Sequence, residues 1–271
     1  MGTVSTNADS GSARPGGVIT RRSYRGRGFR KLFQTELKLY MREPMLAFWA
    51  LIFPIGLLIV LGTAGSKKPQ HSLGGLKLIV VYTPTVMMFT LTILSLSALP
   101  AALASYRDKG YLRRLSTTPV GAIRLMAAQL AIVAGTAGTV VILLVLISHF
   151  AFSVPVPQQI GGFILAILLT MAAMASLGTL IAAVAPTQRV AAAVGSLMFF
   201  PLMFFAGLWV PQAEMGSVLR HISQYTPLGA ADPAVQSSIA GNWAGTTHLL
   251  VLAGYAVVFC GLAIKLFRWD R

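Results

Sequence analysis

The side chains of this chain that could do chemistry are few, and where they stand limits what they could do. The carboxylates are Asp9, Glu36, Glu43, Asp108, Glu214, Asp232 and Asp270. They are scattered, whereas an enzyme needs titratable groups gathered in one place. No Gly-rich loop followed by a Lys is present to cradle the phosphates of a nucleotide. The single cysteine, Cys260, excludes an intrachain disulfide and a cysteine-based metal cluster. The histidines, His71, His149, His221 and His248, keep no metal-ligand spacing. They read as polar residues at the margins of apolar runs. No catalytic residue, metal ligand or cofactor site is therefore expected in this chain.

The densest chemistry is basic. Residues 105–120 read SYRDKGYLRRLSTTPV and bring Arg107, Asp108, Lys109, Arg113 and Arg114 close together in sequence. The segment lies between two long apolar runs, and Pro119 stiffens its far end. A basic loop held between two membrane spans must sit on a membrane face, where another protein can press on it.

The elements that hold this loop are spans. The chain is 55% hydrophobic and 11% charged, where soluble domains carry roughly a quarter charged residues. A helical span needs about 20 mostly apolar residues. Six such runs are read, at 46–64, 79–104, 123–148, 162–184, 190–210 and 248–267. They are continuously apolar rather than alternating, which favours helices over barrel strands. The expected fold is thus an all-α integral membrane protein. No Asp, Glu, Lys or Arg falls at the centre of a span, so proton-coupled transport, which relies on an ionisable group at the midplane, is not expected.

The net charge of +15 could suggest a nucleic-acid partner, but its distribution argues for topology. Six spans put both termini on one side. With that side inside, the tail, the 105–120 loop, Arg124, Arg189 and the C-terminal end hold most of the basic residues. Only Lys67, Lys68, Lys77 and Arg220 remain outside. This is the positive-inside bias, with contact to anionic lipid as a further contribution. No nucleic-acid partner is expected.

Three regions follow. Residues 1–27 are rich in Gly, Ser, Thr and Arg and cannot bury a core, so a disordered basic cytoplasmic tail is expected. Residues 28–43 show helical periodicity, with Phe29, Leu32, Phe33, Leu37, Tyr40 and Met41 on one face. An amphipathic helix along the inner leaflet is expected there, ending at Arg42, Glu43 and Pro44, where the chain turns into the membrane. Residues 44–271 form the six-helix membrane domain. Between its fifth and sixth spans, residues 211–247 are long for a loop. Val218, Leu219, Ile222 and Tyr225 recur at helical spacing, as do Ala234, Val235 and Ile239. Two short outer helices of re-entrant type, broken at Pro227 and at Asp232-Pro233, are expected.

The run from Arg107 to Val120 resembles the inner loop of ABC type-2 transporter permeases. That pattern has a basic-acidic start, then Gly110, Leu112, Leu115 and Thr118-Pro119. The segment beyond Pro201 is similar to the same family at Gly207, Pro211, Pro227-Leu228 and Asp232. Arg42-Glu43-Pro44 resembles the start of its first span. The resemblance covers residues 28–271. The chain departs from the pattern at Tyr111 and Arg113, where many members have Thr and Glu, and at Gly216, where Pro is frequent. The Leu-Arg-Arg-Leu form at 112–115 resembles the drug-resistance branch typical of actinobacteria.

The resemblance implies a half-transporter in a bacterial cytoplasmic membrane, multi-pass, with both termini cytoplasmic. Its partners would be two copies of an ABC ATPase, which carry the ATP-Mg, and a second permease, identical or related. The loop residues Arg107, Asp108, Gly110, Leu112, Arg113, Leu115, Thr118 and Pro119 would meet the ATPases together with the amphipathic helix. The family places its transport path near spans two and five. Met87, Met88 and Phe89 lie in one, and Phe199, Phe200, Met203 and Phe204 in the other; such side chains adapt to varied apolar ligands. The same residues also suit helix packing or lipid contact. Thr83, Thr85, Thr90, Thr92, Ser95 and Ser97 either bond the backbone around Pro84 and Pro100 or line the path. The expected function is ATP-driven export of a small amphipathic compound such as a drug or antibiotic. Export of a lipid-linked glycan or a lipid stands as the alternative within the family, and an autonomous carrier or channel as the alternative outside it.

Overall fold

A long apolar segment in lipid must satisfy its backbone internally, and a helix does so within itself. The computed structural model of the chain describes residues 38, 42, 44–64, 75–108 and 121–266, without the side chains of 46, 47, 107, 108 and 121–124. Among the described residues the architecture is helical and holds no β-strand. In chain order the helices are α1 (Pro44–Ala47), α2 (Phe53–Ala64), α3 (Leu78–Ile93), α4 (Leu99–Asp108), α5 (Gly121–Phe152), α6 (Ile160–Val184), α7 (Gln188–Phe205), α8 (Ser217–Gln224), α9 (Pro227–Ile239) and α10 (Thr246–Leu266). π-helical turns at Phe48–Ile52 and Leu94–Ala98 join α1 to α2 and α3 to α4.

Among the described residues five helices are long and apolar enough to cross a membrane: Leu78–Tyr106, Leu125–Phe152, Ile160–Val184, Gln188–Phe205 and Thr246–Leu266. The first run expected to span, 46–64, is helical, but its apolar part, Phe48–Ala64, is shorter than any of these.

Each π turn is followed two residues later by a proline, Pro54 or Pro100. A proline has no N–H for the carbonyl one turn back, so the helix loosens ahead of it. The second turn holds the carbonyl of Leu96, which Pro100 cannot serve as the helical donor one turn on, and beside it that of Ser95. Two glycines close on them from neighbouring helices. A Cβ at Gly178 of α6 would collide with the Ser95 carbonyl oxygen, and a Cβ at Gly195 of α7 with that of Leu96. Small residues let helix backbones approach this closely in a membrane.

The core forms around α3. Every residue from Thr83 to Thr92 is buried, so this helix is enclosed on all sides rather than turned to lipid. α6 is the other organising element and packs against α10, α9, α4, α3, α7 and the second π turn. One apolar cluster runs through these contacts, and a smaller one joins Leu96, Ala104, Ile181, Ala185 and Ala191.

Two sequence expectations are corrected. α7 stops at Phe205 rather than running to 210, because Gly207 takes φ +90° and turns the chain. Gly207 N–H donates to Phe204 O and Leu208 N–H to Met203 O, the pattern that closes a helix on a left-handed glycine. The second correction is that Asp232-Pro233 does not break the outer segment: α9 runs straight through it. The carbonyl that Pro233 strips of its donor is that of Gly229, and the Gln212 side chain replaces the missing bond, Nε2 donating at 3.0 Å.

Candidate functional site

Aromatic rings form a continuous run through three helices. Phe48 and Trp49 in the first π turn stand edge to face, with centroids 5.4 Å apart. Trp49 meets Phe53 of α2 at 4.9 Å, and Phe53 meets Phe89 of α3 at 5.0 Å. Phe89 meets Phe199 of α7 edge-on at 5.4 Å, and Phe199 meets Phe200 at 5.7 Å. Phe200 stacks on Trp209 at 6.1 Å. These are the separations and tilts at which aromatic pairs attract. The two ends of the run are exposed, Phe48 and Trp49 at one, Phe200 (59%) and Trp209 (49%) at the other; Phe89 in the middle is buried. Apolar surface is thus open at both ends and closed between them.

The other residues expected near a path lie differently. Met87, Met88 and Met203 are fully buried in the core of the single chain. Phe204 is half-buried and packs edge-on against Phe205 at 5.4 Å. The hydroxyls of α3 divide. Thr83, Thr90 and Thr92 donate to the carbonyls of Ile79, Val86 and Met88 in their own helix. Thr85 alone reaches another element, and its Oγ1 donates to Asp232 Oδ1 at 2.9 Å. Ser95 Oγ, buried in the second π turn, has no hydrogen-bond partner among the described residues.

Asp232 sits on α9 with 6% of its surface exposed. Burial raises its carboxyl from 3.8 to about 7, and the Thr85 hydroxyl pulls the other way. α9 begins with Pro227 in its first turn and Thr226 as its cap, whose Oγ1 accepts from Gly229 N–H at 3.2 Å. The segment before it is tied to the end of α7. Phe205 O accepts from Gln212 Nε2 and from Ser223 Oγ, each at 2.8 Å. Pro211 opens the short 3₁₀ turn Gln212–Glu214, and the Arg220 guanidinium donates to the carbonyls of Gln212, Ala213 and Met215 around it. Tyr255 of α10 donates its hydroxyl to Tyr225 O at 3.0 Å. Of the four residues singled out here from sequence, Gly207 ends α7, Pro211 and Pro227 start short helices, and Asp232 reaches α3.

The basic loop lies outside the described residues. α4 carries the backbone of Arg107 and Asp108 at its end, while Gly110, Leu112, Arg113, Leu115, Thr118 and Pro119 fall beyond it. Phe29, Leu32, Phe33, Leu37 and Glu43 also fall outside; Arg42 and Pro44 are described and exposed. Among the described residues no group of three His, Cys, Asp or Glu side chains is placed to hold a metal ion.

Sequence reasoning did not single out Phe53, Gln212, Gly178 or Gly195. Phe53 and the two glycines carry no local signal, since their meaning depends on a partner in another helix. Gln212 carried one: it stands two positions before Glu214 in a segment whose prolines leave carbonyls to be satisfied.

No curated protein matches the chain. The family model described as ABC-2 type transporter matches residues 27–239, well over half of the 271. The match runs from ahead of α1 to the end of α9 and so includes the aromatic run, the second π turn and the Thr85–Asp232 contact. Domains of this kind are non-catalytic transmembrane components. With five helices among the described residues long and apolar enough to cross a membrane, this multi-pass membrane protein belongs to the ABC-2 type transporter family.

Proposed function

We propose that the chain is the membrane half of an ATP-driven exporter whose cargo is a small amphipathic or lipophilic compound of the drug or antibiotic type. Members of the family usually work with an ABC ATPase. Two such ATPases and a second permease, identical or related, complete the exporter. The carrying observation is the aromatic run from Phe48 to Trp209, exposed at both ends and enclosed at Phe89. Ring faces bind apolar surface and also attract cations, which suits a lipophilic cation; a glycan path would add hydroxyl or amide neighbours to its rings.

Residues 44–64 serve as the first of six spans. Their helix is about 30 Å long by the rise per residue, which reaches across the hydrocarbon core. Both termini then face the cytoplasm of a bacterial cell, and α8 and α9 dip into the outer leaflet from the far side. The exposed side chains of Trp209, Val218, Ile222, Tyr225 and Trp243 support that placement, since rings and apolar residues gather at a membrane interface. The loop 107–119 takes the push of ATP binding. It hangs from α4, and α4 continues through the π turn into α3, so the push reaches the middle of the core.

The test uses inside-out vesicles holding this chain and its ABC ATPase, with rhodamine 6G as the probe. ATP should drive dye uptake, a non-hydrolysable analogue should not, and Phe89→Leu should lower the rate several-fold. Transport of a lipid-linked oligosaccharide with no transport of the dye would overturn the drug reading.

A further inference from the structure

Asp232 is a buried carboxyl outside the aromatic run, and its side-chain partner among the described residues lies 147 residues away in another helix. Thr85 belongs to α3, the helix that continues through the π turn and α4 to the basic loop. Asp232 belongs to α9, in the segment that closes the opposite end of the bundle and packs against α3, α6, α7, α8 and α10. We propose that the Thr85–Asp232 contact is the latch of the outer gate: it holds α9 against α3, and the gate opens when ionisation makes the carboxyl costly to keep buried, against the pull of the Thr85 hydroxyl. The proposal rests on the export reading, because it assigns regulation to the outer end of that same path.

The surroundings of Asp232 hold little to offset its charge. α6 presents no titratable side chain. α3 brings Tyr82, one turn before Thr85. α8 brings Arg220 and His221, and the turn that carries Gln212 brings Glu214. α10 brings His248 and Tyr255, with Cys260 and Lys265 further along, and α7 carries Arg189 at its opposite end. The Arg220 guanidinium is bonded to carbonyls and the Tyr255 hydroxyl to Tyr225 O. The state of Asp232 is set by burial first and by the Thr85 hydroxyl second, with no cation contributing.

The sign follows from linkage. In the closed gate the carboxyl titrates at about 7, against 3.8 for the same group in water. The closed state therefore holds the proton more tightly, and closure is favoured as pH falls from about 7 towards 4. Above that window the buried charge works against closure. Acid on the outer face locks the gate, and neutral to alkaline conditions loosen it.

The experiment uses the full-length chain in lipid nanodiscs with Cys260→Ser, and needs neither ATPase nor cargo, so its failure is separable from failure of the export reading. Ser238→Cys places a near-isosteric thiol at a fully buried site on α9. Ser217→Cys, in a second sample, is an exposed reference. The ratio of their labelling rates by a water-soluble maleimide cancels the pH dependence of the thiol. It should rise about tenfold or more from pH 5 to pH 8. Asp232→Asn should hold the ratio low and flat. Thr85→Val, which keeps the carboxyl but removes its donor, should raise the ratio at pH 8. A flat ratio with Asp232 present, a rise that persists in Asp232→Asn, or no response to Thr85→Val would each overturn the latch.

Discussion

Gly178 lies so close to the carbonyl oxygen of Ser95 that no side chain fits between them. The contact joins α6 to the π turn of the central helix, and Gly195 makes the equivalent contact with Leu96 from α7. One of these oxygens, that of Leu96, is the one that Pro100 cannot serve. The bend and the glycines that grip it are therefore one arrangement: loosened backbone on one helix, missing side chains on two others.

Gly178→Ala and Gly195→Ala should each destabilise the fold by about 1–3 kcal/mol, the usual effect of forcing an extra methyl into a filled site. Gly135→Ala and Gly138→Ala, on α5 where nothing stands within 4 Å of a new Cβ, should be neutral or slightly stabilising. Thermal unfolding of the four variants in the same detergent separates the two pairs. Equal melting temperatures across all four would remove the close-contact account of the bend.

Gln212→Leu should loosen the segment between α7 and α10. It removes the donor to Gly229 O beside Pro233 and one of two donors to Phe205 O. An unserved buried carbonyl costs about 1–3 kcal/mol. Proteolysis in the 206–245 region should quicken, and more so when Ser223→Ala takes away the second donor to Phe205 O. Unchanged cleavage in the double variant would count against these bonds as the tether.

Six apolar runs were legible because lipid forbids unserved backbone and leaves few alternatives to a helix. Five appear among the described residues as helices long and apolar enough to cross, with ends shifted by a few residues. The ends that moved most did so for reasons local sequence states weakly. Gly207 could have continued α7 or ended it, and only its left-handed φ decides. Pro233 reads as a break until Gln212, 21 positions earlier, supplies the lost bond. The Thr85–Asp232 pair was invisible for the same reason: both residues were singled out, but nothing along the chain joins them. The π turn at 94–98 was equally hidden, since Pro100 alone does not show that glycines wait opposite.

Phe89→Leu keeps most of the volume at the centre of the aromatic run but removes its ring contacts with Phe53 and Phe199. Transport of rhodamine 6G should fall several-fold while the chain still folds, each lost ring contact costing about 0.5–1.5 kcal/mol of stability. Phe150→Leu, at a ring that is 79% exposed and away from the run, should transport normally. Equal transport by the two variants would detach the run from the path.

Gly110→Asp and Leu115→Asp should separate ATP hydrolysis from transport while leaving membrane insertion intact, because each places a charge in the loop proposed to meet the ATPase. The readout is ATPase activity of the reconstituted complex beside its dye transport. Normal ATP-dependent transport in both variants would remove the loop from the coupling role.

The most direct test of the whole account is reconstitution of this chain with and without its ABC ATPase, followed by measurement of dye movement against a gradient. The account predicts uphill movement when the ATPase and ATP are both present, and none with the chain alone. Uphill movement by the chain alone would contradict it.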